Sequence, residues 1–150
     1  MHAAGELASM HPQDFYPESD LNRGQTALDV PVVTLDSVLG GRGESVHLLK
    51  IDVQGHELGV LQGARRLFEE GRINMVNLEF WPKGMSAGGE EGGVAVLDFL
   101  HGYGFMCFDY SRNRHVPADR PSRFEEFVAS FDGGRDNGFG AWDELVCFHV

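Results

Sequence analysis

The chain has 150 residues, the length of one domain, and its formal net charge at pH 7 is -11. Hydrophobic residues make up 42% and aromatic residues 11% of the sequence, so the chain can bury a core and is not wholly disordered. The negative charge opposes binding to polyanions, which argues against nucleic acid and anionic membrane surfaces as partners. No apolar run reaches the roughly 18 residues that predict a membrane span.

The cysteine content and the N-terminus indicate where the protein resides. Cys107 and Cys147 are the only cysteines, and each lies in an apolar run typical of a strand. In that setting a free thiol behaves as a small buried hydrophobe, so we expect no disulfide. The first residues lack the basic and apolar regions of a signal peptide. These features predict a reducing, cytoplasmic compartment.

The start of the chain is predicted to be a poorly ordered lead. Residues 1–29 show no sustained hydrophobic period and are rich in loop-forming residues, so we place the domain at residues 30–150. The β-branched run Val30–Thr34 predicts a short strand, which its proline confines to an edge or a strand start. Leu35–Leu39 then predicts one helical turn, with Thr34 as its N-cap.

A strand, a helix and a second strand follow in close succession. Val46–Ile51 predicts a buried strand, the apolar spacing over Glu57–Glu70 predicts a helix that Gly71 ends, and Asn74–Phe80 predicts the next strand. This order with short joints makes a parallel crossover unit. Because the carboxyl ends of parallel strands meet at one edge, Asp52 and Glu79 are expected to lie side by side there.

The second half of the chain adds two further strands. A Gly-rich loop over residues 83–93 is expected to form a rim at the carboxyl edge, and residues 111–123 are expected to be loop. The other predicted elements are a helix over Val94–His101, a strand over Phe105–Tyr110, a short helix over Phe124–Phe131 and a closing strand over Leu145–Val150, antiparallel to the strand at Phe105. The predicted fold class is α/β, with parallel strands, a C-terminal antiparallel strand pair and helices on the faces.

The carboxylate at the end of the first strand has two readings. In open α/β sheets ligands bind outside the carboxyl ends of the strands, which favours a chemical role for Asp52. Alternatively, Asp52 caps the turn through backbone N–H groups, and Glu57 interacts with the positive end of the helix dipole.

Three segments together resemble the FkbM-type methyltransferases. They are Val32–Asp36, Leu49–Glu57 with the Leu61, Gly63 and Ala64 that follow, and Val76–Glu79. The resemblance spans roughly residues 30–150, and its core reads K-I-D-V-x-G-H-E. It implies transfer of the methyl group of S-adenosylmethionine, typically to a hydroxyl oxygen, and thus a small-molecule or glycan acceptor. The chain has Gln54 where the family usually has Glu, and we assign no acid or base role to this position.

The resemblance covers only part of the family's domain. That domain begins with a strand, a Gly-rich turn for the amino-acid end of the cofactor and an acidic residue for its ribose. None of these is found here, since the glycines at Gly40–Gly43 and at Gly102 and Gly104 stand in the wrong context. We therefore predict the C-terminal half of a Rossmann-like methyltransferase domain, either as a fragment or as a chain that needs a partner. No cofactor-binding residue can be assigned.

The reaction that the resemblance implies requires a base for the acceptor hydroxyl. Asp52, His56 and Glu79 are the candidates, because all three are expected near the carboxyl edge. The two carboxylates could instead share a proton or hold a divalent cation. Two carboxylates leave most oxygen positions of such an ion unfilled, which weighs against a metal.

Three further side chains accompany this candidate site. Lys50 lies on the same side of its strand as Asp52, and we expect it to form an ion pair with Asp52 or Asp36. Phe80 and Trp81 are candidates to line an acceptor pocket. A pair of core and edge aromatic residues is the alternative for these two.

Two other functions compete with the enzyme. The segment Asp52–Glu57 also resembles the D-x-x-G-x-E switch of GTPases, but the chain has no Gly-rich phosphate loop ending in Lys. The second alternative is a non-catalytic half-domain that binds or self-associates through an exposed strand edge, since an uncovered edge is a template for pairing.

Overall fold

The structure is a computed structural model that describes residues 30–85, 92–117, 123–131 and 140–149. The predicted lead over residues 1–29 and residues 86–91 of the predicted Gly-rich loop lie outside the described residues. The described part contains six helices and five strands. In chain order they are α1 Leu35–Leu39, β1 Leu49–Ile51, α2 Glu57–Gln62, α3 Arg65–Glu69, β2 Met75–Phe80, α4 Pro82–Met85, α5 Gly92–Gly102, β3 Phe105–Asp109, β4 Arg114–His115, α6 Phe124–Ala129 and β5 Asp143–His149.

The strands form one mixed open sheet in the order β1-β2-β5-β3-β4. β1 and β2 are parallel, whereas β5 is antiparallel to both β2 and β3. The predicted antiparallel pairing of the closing strand with β3 is confirmed. Because β5 also lies between β2 and β3, most pairings are antiparallel and the parallel part is limited to β1 and β2. A Rossmann-like sheet is therefore not established by these pairings.

One face of the sheet carries the core. Val76, Leu78 and Phe80 alternate with exposed or half-buried neighbours along β2, as expected for a strand covered on one face. Leu145 on β5 continues this buried face. The helices contribute to the same core through the buried side chains of Leu61, Leu67, Val96, Leu97 and Leu100. The helices therefore cover this face of the sheet. By contrast, Lys50 on β1 and Glu144 on β5 are exposed.

The helix predicted over Glu57–Glu70 is interrupted. α2 ends at Gln62, and α3 begins at Arg65 after a turn at Gly63 and Ala64. The carboxylate of Asp36 accepts hydrogen bonds from the N–H groups of Arg66 (3.0 Å) and Leu67 (3.1 Å). Asp36 thus caps α3 from a distant part of the chain, which helical spacing does not indicate.

The segment before β1 differs from the prediction in part. The strand predicted over Val30–Thr34 is wrong, because these residues adopt no regular structure. The one-turn helix α1 is confirmed, and its N-cap Thr34 accepts a hydrogen bond from the N–H of Ser37 at 3.1 Å. The first sheet strand is shorter than predicted and is preceded by an isolated bridge between Val46 and Ile73.

The prediction that the two cysteines are free thiols is wrong. Cys107 on β3 and Cys147 on β5 are directly opposite each other in the antiparallel register and form a disulfide. Both side chains are buried. Each cysteine lies in an apolar strand, as predicted, but the register that aligns them joins positions 40 residues apart. Sequence spacing alone does not reveal that register.

Two further points concern the described elements. β4, at Arg114–His115, is a short strand within the run predicted to be loop, and it pairs with the end of β3. The short helix predicted near Phe124 is confirmed as α6. None of the helices in the described ranges is long and apolar enough to cross a membrane.

Candidate active site at the carboxyl edge of the sheet

A tight turn connects β1 to α2 and shapes this edge. Gln54 has a φ of 51° and Gly55 a φ of 104°, so the backbone turns through conformations that most residues avoid. A Cβ atom at Gly55 would lie 2.6 Å from the carbonyl oxygen of Gly84. Glycine is therefore required here both for its backbone conformation and for the close approach of α4.

The carboxylate of Glu57 closes the turn from inside. Glu57 is 1% exposed, and its Oε1 accepts from the N–H groups of Gly55 (3.1 Å) and Val53 (3.4 Å). The sequence left open whether Asp52 caps this turn, and the structure shows that Glu57 takes these N–H groups. Among the described residues, Oε2 of Glu57 has no hydrogen-bond partner. Asp52 instead accepts a hydrogen bond from the side chain of Gln54.

Asp52 and Glu79 lie next to each other, on either side of the Gln54 amide. The parallel register pairs Ile51 with Leu78, which brings the residues that follow them to the same edge. Nε2 of Gln54 lies 2.9 Å from Oδ1 of Asp52 and 2.5 Å from Oε2 of Glu79. Gln54 was noted in the sequence only as a departure from the usual Glu. No local signal in the sequence identifies it, because Glu79 lies 25 residues further along the chain.

The surroundings of Glu79 make its carboxyl group a weaker acid than that of an ordinary glutamate. Burial raises the pKa of this carboxyl group above its usual value, and the negative charges of Asp52 and Glu57 raise it further. The hydrogen bond from Gln54 and the charge of Lys50 act in the opposite direction. Glu79 is therefore a stronger proton acceptor, when ionised, than an ordinary glutamate.

Lys50 does not form the predicted ion pair. Its Nζ lies 3.2 Å from Oε1 of Glu144 on β5 and 3.4 Å from Oδ1 of Asn77 on β2. The Lys50 side chain is 50% exposed. The prediction of a partner in Asp52 or Asp36 is wrong, because the partner comes from β5, whose place in the sheet is not evident from the sequence.

The other predicted site residues occupy different environments. His56 is half-buried at the N-terminus of α2, two residues from Gln54. Phe80 is fully buried, and its ring packs against those of Phe131 (5.2 Å between centroids) and Phe127 (5.8 Å). Phe80 thus lies in the core, which was the alternative to a position lining the acceptor pocket. Trp81 is half-buried, and its ring packs against Gly84 so closely that no side chain would fit there.

A second group of charged residues lies at the same edge and was not identified from the sequence. Asp109 is fully buried at the end of β3 and accepts from Nε of Arg114 at 2.9 Å and from the N–H of Arg112 at 3.2 Å. The Arg112 guanidinium lies 3.9 Å from the ring centroid of Phe131. These contacts satisfy the buried charge and indicate a structural role.

The described part of the chain contains no group of three or more His, Cys, Asp or Glu side chains arranged to hold a metal ion. Asp52 and Glu79, the pair predicted as metal ligands, both contact the Gln54 amide. An amide N–H is a donor and does not ligate a cation.

The family comparison covers this site. The model of the methyltransferase FkbM domain matches residues 2–107, more than two thirds of the chain. The chain belongs to the FkbM methyltransferase domain family. The matched range contains the Asp52 turn and Glu79, begins upstream of residue 30 and ends at Cys107, before β5. No curated protein and no solved structure gave a significant match.

Membership in the FkbM family gives the chain a methyltransferase domain. Within that domain, the edge formed by β1 and β2 brings together two carboxylates, one amide and the buried Glu57. Such an edge can accept a proton or stabilise a positive charge.

Proposed function

We propose that this FkbM domain is an S-adenosylmethionine-dependent methyltransferase that methylates a hydroxyl oxygen of a small molecule or glycan. One observation carries the proposal: the family-matched segment brings Asp52 and Glu79 to one sheet edge, within hydrogen-bond distance of the same amide. In an open sheet this edge is where ligands bind.

The charge of this edge fits the sulfonium centre of the cofactor. The sulfonium group of S-adenosylmethionine is positively charged, and the carboxylates of Asp52 and Glu79 offer opposite charge. When bound, S-adenosylmethionine supplies a methyl group to the acceptor oxygen and leaves as a neutral thioether.

The protein has to orient the acceptor and take its proton. Asp52 and Glu79 are the proposed bases, with His56 as the third candidate. The raised pKa of Glu79 suits it to receive the hydroxyl proton. Trp81, half-buried beside Gly84, is the proposed wall of the acceptor pocket, whereas Phe80 lies in the core.

Cofactor binding is tested first. We expect isothermal titration of the purified protein with S-adenosylmethionine to release or absorb heat with saturation at one site per chain. The demethylated thioether product serves as the comparison, because it lacks the sulfonium charge and should bind less tightly to a carboxylate-lined edge. Absence of heat with S-adenosylmethionine would rule out catalysis by this chain alone.

Asp52→Asn tests the base. Loss of a general base typically slows a reaction by about 100-fold to 10,000-fold, so we expect methyl transfer from labelled cofactor to a hydroxyl acceptor to fall within that range. Asp98→Asn is the matched control, since Asp98 is exposed on α5. Circular dichroism should show both variants folded. Unchanged turnover in Asp52→Asn would remove Asp52 from the mechanism.

A further inference from the structure

The side chain of Gln54 occupies the position between the two candidate catalytic carboxylates. Its nitrogen is within hydrogen-bond distance of Asp52 Oδ1 (2.9 Å) and of Glu79 Oε2 (2.5 Å). Because ionised carboxylates only accept hydrogen bonds, the nitrogen of the amide, and not its oxygen, must face them. Each of the two hydrogens of the amide then serves a different carboxylate.

Two neighbouring carboxylates repel each other and need a donor or a cation to stay together. Here the repulsion is increased by the buried Glu57, whose charge also acts on Glu79. Proteins meet this requirement with a bound divalent ion, a shared proton or N–H donors. In this chain the donors come from Gln54, which is held at a φ of 51° that is uncommon for residues other than glycine.

We propose that Gln54 is a positioning residue that takes the place of a divalent cation between Asp52 and Glu79. The amide neutralises no charge, but it satisfies one oxygen of each carboxylate and fixes the distance between them. A cation would have to displace the NH₂ group to bind Oδ1 of Asp52 and Oε2 of Glu79 together. The site therefore orients its acceptor without a metal. This assignment rests on the proposed function in one respect, since it is the proposed function that places the two carboxylates at the acceptor site.

The unmodified protein provides the first test. The side-chain NH₂ group of Gln54 gives its own signals in ¹⁵N NMR spectra. Substoichiometric Mn²⁺, which broadens the signals of nuclei near its binding site, should leave these signals as sharp as those of the exposed Gln62. Selective broadening of the Gln54 signals would overturn the proposal.

Gln54→Glu provides the second test. This variant replaces the two donors with a third carboxylate, so Mn²⁺ should bind at least tenfold more tightly than to the wild type in calorimetric titration. Gln62→Glu adds the same charge on the exposed end of α2 and should match the wild type. Equal affinity of Gln54→Glu and Gln62→Glu, or wild-type affinity as high as that of Gln54→Glu, would overturn the proposal.

The two tests separate this inference from the proposed function. Neither measures methyl transfer, so an inactive protein can pass both and an active one can fail both. If Gln54→Glu does not fold, the NMR titration of the wild type alone decides.

Discussion

At the scale of single residues, burial and two neighbouring negative charges act together on Glu79. Burial and the charges of Asp52 and Glu57 raise its pKa above the usual glutamate value of 4.5. A carboxyl group whose pKa is higher in the folded protein binds more protons there than in the unfolded chain. Its contribution to stability is therefore fully present below the unfolded pKa and is lost as the pH rises through the folded pKa.

Glu79→Gln has no ionisable group at this position, so the variant should not lose stability as the pH rises through the pKa of Glu79. We expect the urea midpoint of the variant to exceed that of the wild type at pH 7, and the difference to shrink as the pH falls toward about 4. Glu144→Gln is the control, because Glu144 lies directly opposite Glu79 in the register but forms an ion pair with Lys50. Its midpoint should not rise. A lower midpoint for Glu79→Gln at both pH values would contradict the assigned environment of Glu79.

Gly55 is the second residue whose identity the site requires. Gly55→Ala would place a methyl group 2.6 Å from the carbonyl oxygen of Gly84, at a φ of 104°. We expect a loss of about 2 kcal/mol or more in the free energy of unfolding, measured by chemical denaturation.

Gly43→Ala is the comparison for this loss. Gly43 also has a positive φ, 69°, but an added Cβ there would meet nothing within 4 Å. Only the backbone cost of about 1 kcal/mol should remain. Equal losses at Gly43 and Gly55 would mean that the contact with α4 does not constrain the turn.

At the scale of elements, Arg72 joins three segments. Its guanidinium donates to the carbonyl oxygens of Leu39 at 3.0 Å and Glu44 at 2.6 Å, and it lies 3.1 Å from the carboxylate of Glu70. The side chain is almost fully buried. Arg72 therefore connects the end of α1 and the loop after it to the end of α3.

Arg72→Met would leave the carbonyl oxygen of Glu44 without its donor, whereas that of Leu39 would keep the N–H of Arg42 at 3.1 Å. We expect a loss of about 2–3 kcal/mol in the free energy of unfolding, because buried polar groups without partners are costly. Arg66→Met is the matched control, since Arg66 pairs with the same Glu70 but is 61% exposed. An exposed ion pair contributes little to stability, so Arg66→Met should lose much less than Arg72→Met. Similar losses in the two variants would contradict the connecting role of Arg72.

At the scale of the whole molecule, the disulfide connects the last strand to β3. Cys107 and Cys147 are separated by 40 residues, and the bond restricts the unfolded chain. The double variant Cys107→Ala/Cys147→Ala should lose about 2–4 kcal/mol in the free energy of unfolding and should melt at a lower temperature.

Thiol chemistry checks the same bond. The denatured, unreduced wild type should give no titratable thiol, and a reductant should lower its melting temperature. The double variant is the control, because a reductant should leave its melting temperature unchanged. Two titratable thiols in the denatured wild type would show that the bond does not form.

Several local features could be predicted from the sequence. The N-cap at Thr34, the turn at Gly55 and the strand over Met75–Phe80 each depend on residues close together in the chain. The sequence also predicted that Asp52 and Glu79 are adjacent, because the two parallel strands of a strand–helix–strand unit end at the same edge of the sheet. The roles of these residues in catalysis remain proposals.

Features that depend on distant partners could not be predicted. Lys50 pairs with Glu144, and Asp36 caps α3 across 30 residues of sequence. Both contacts depend on how separate elements pack, and a charged side chain carries no local sign of which distant partner it will meet. The bridging role of Gln54 likewise appears only once Glu79 lies beside the turn.

The amino-acid sequence by itself determined the local elements, the alternation of buried and exposed side chains and the family, because these depend on backbone preferences and on neighbours within a few residues. Only the tertiary structure decided that β5 lies between β2 and β3, that Cys107 meets Cys147, and that one amide joins the two carboxylates. Strand order and register are chosen by packing of the whole core, in which each strand competes for partners far away in the chain.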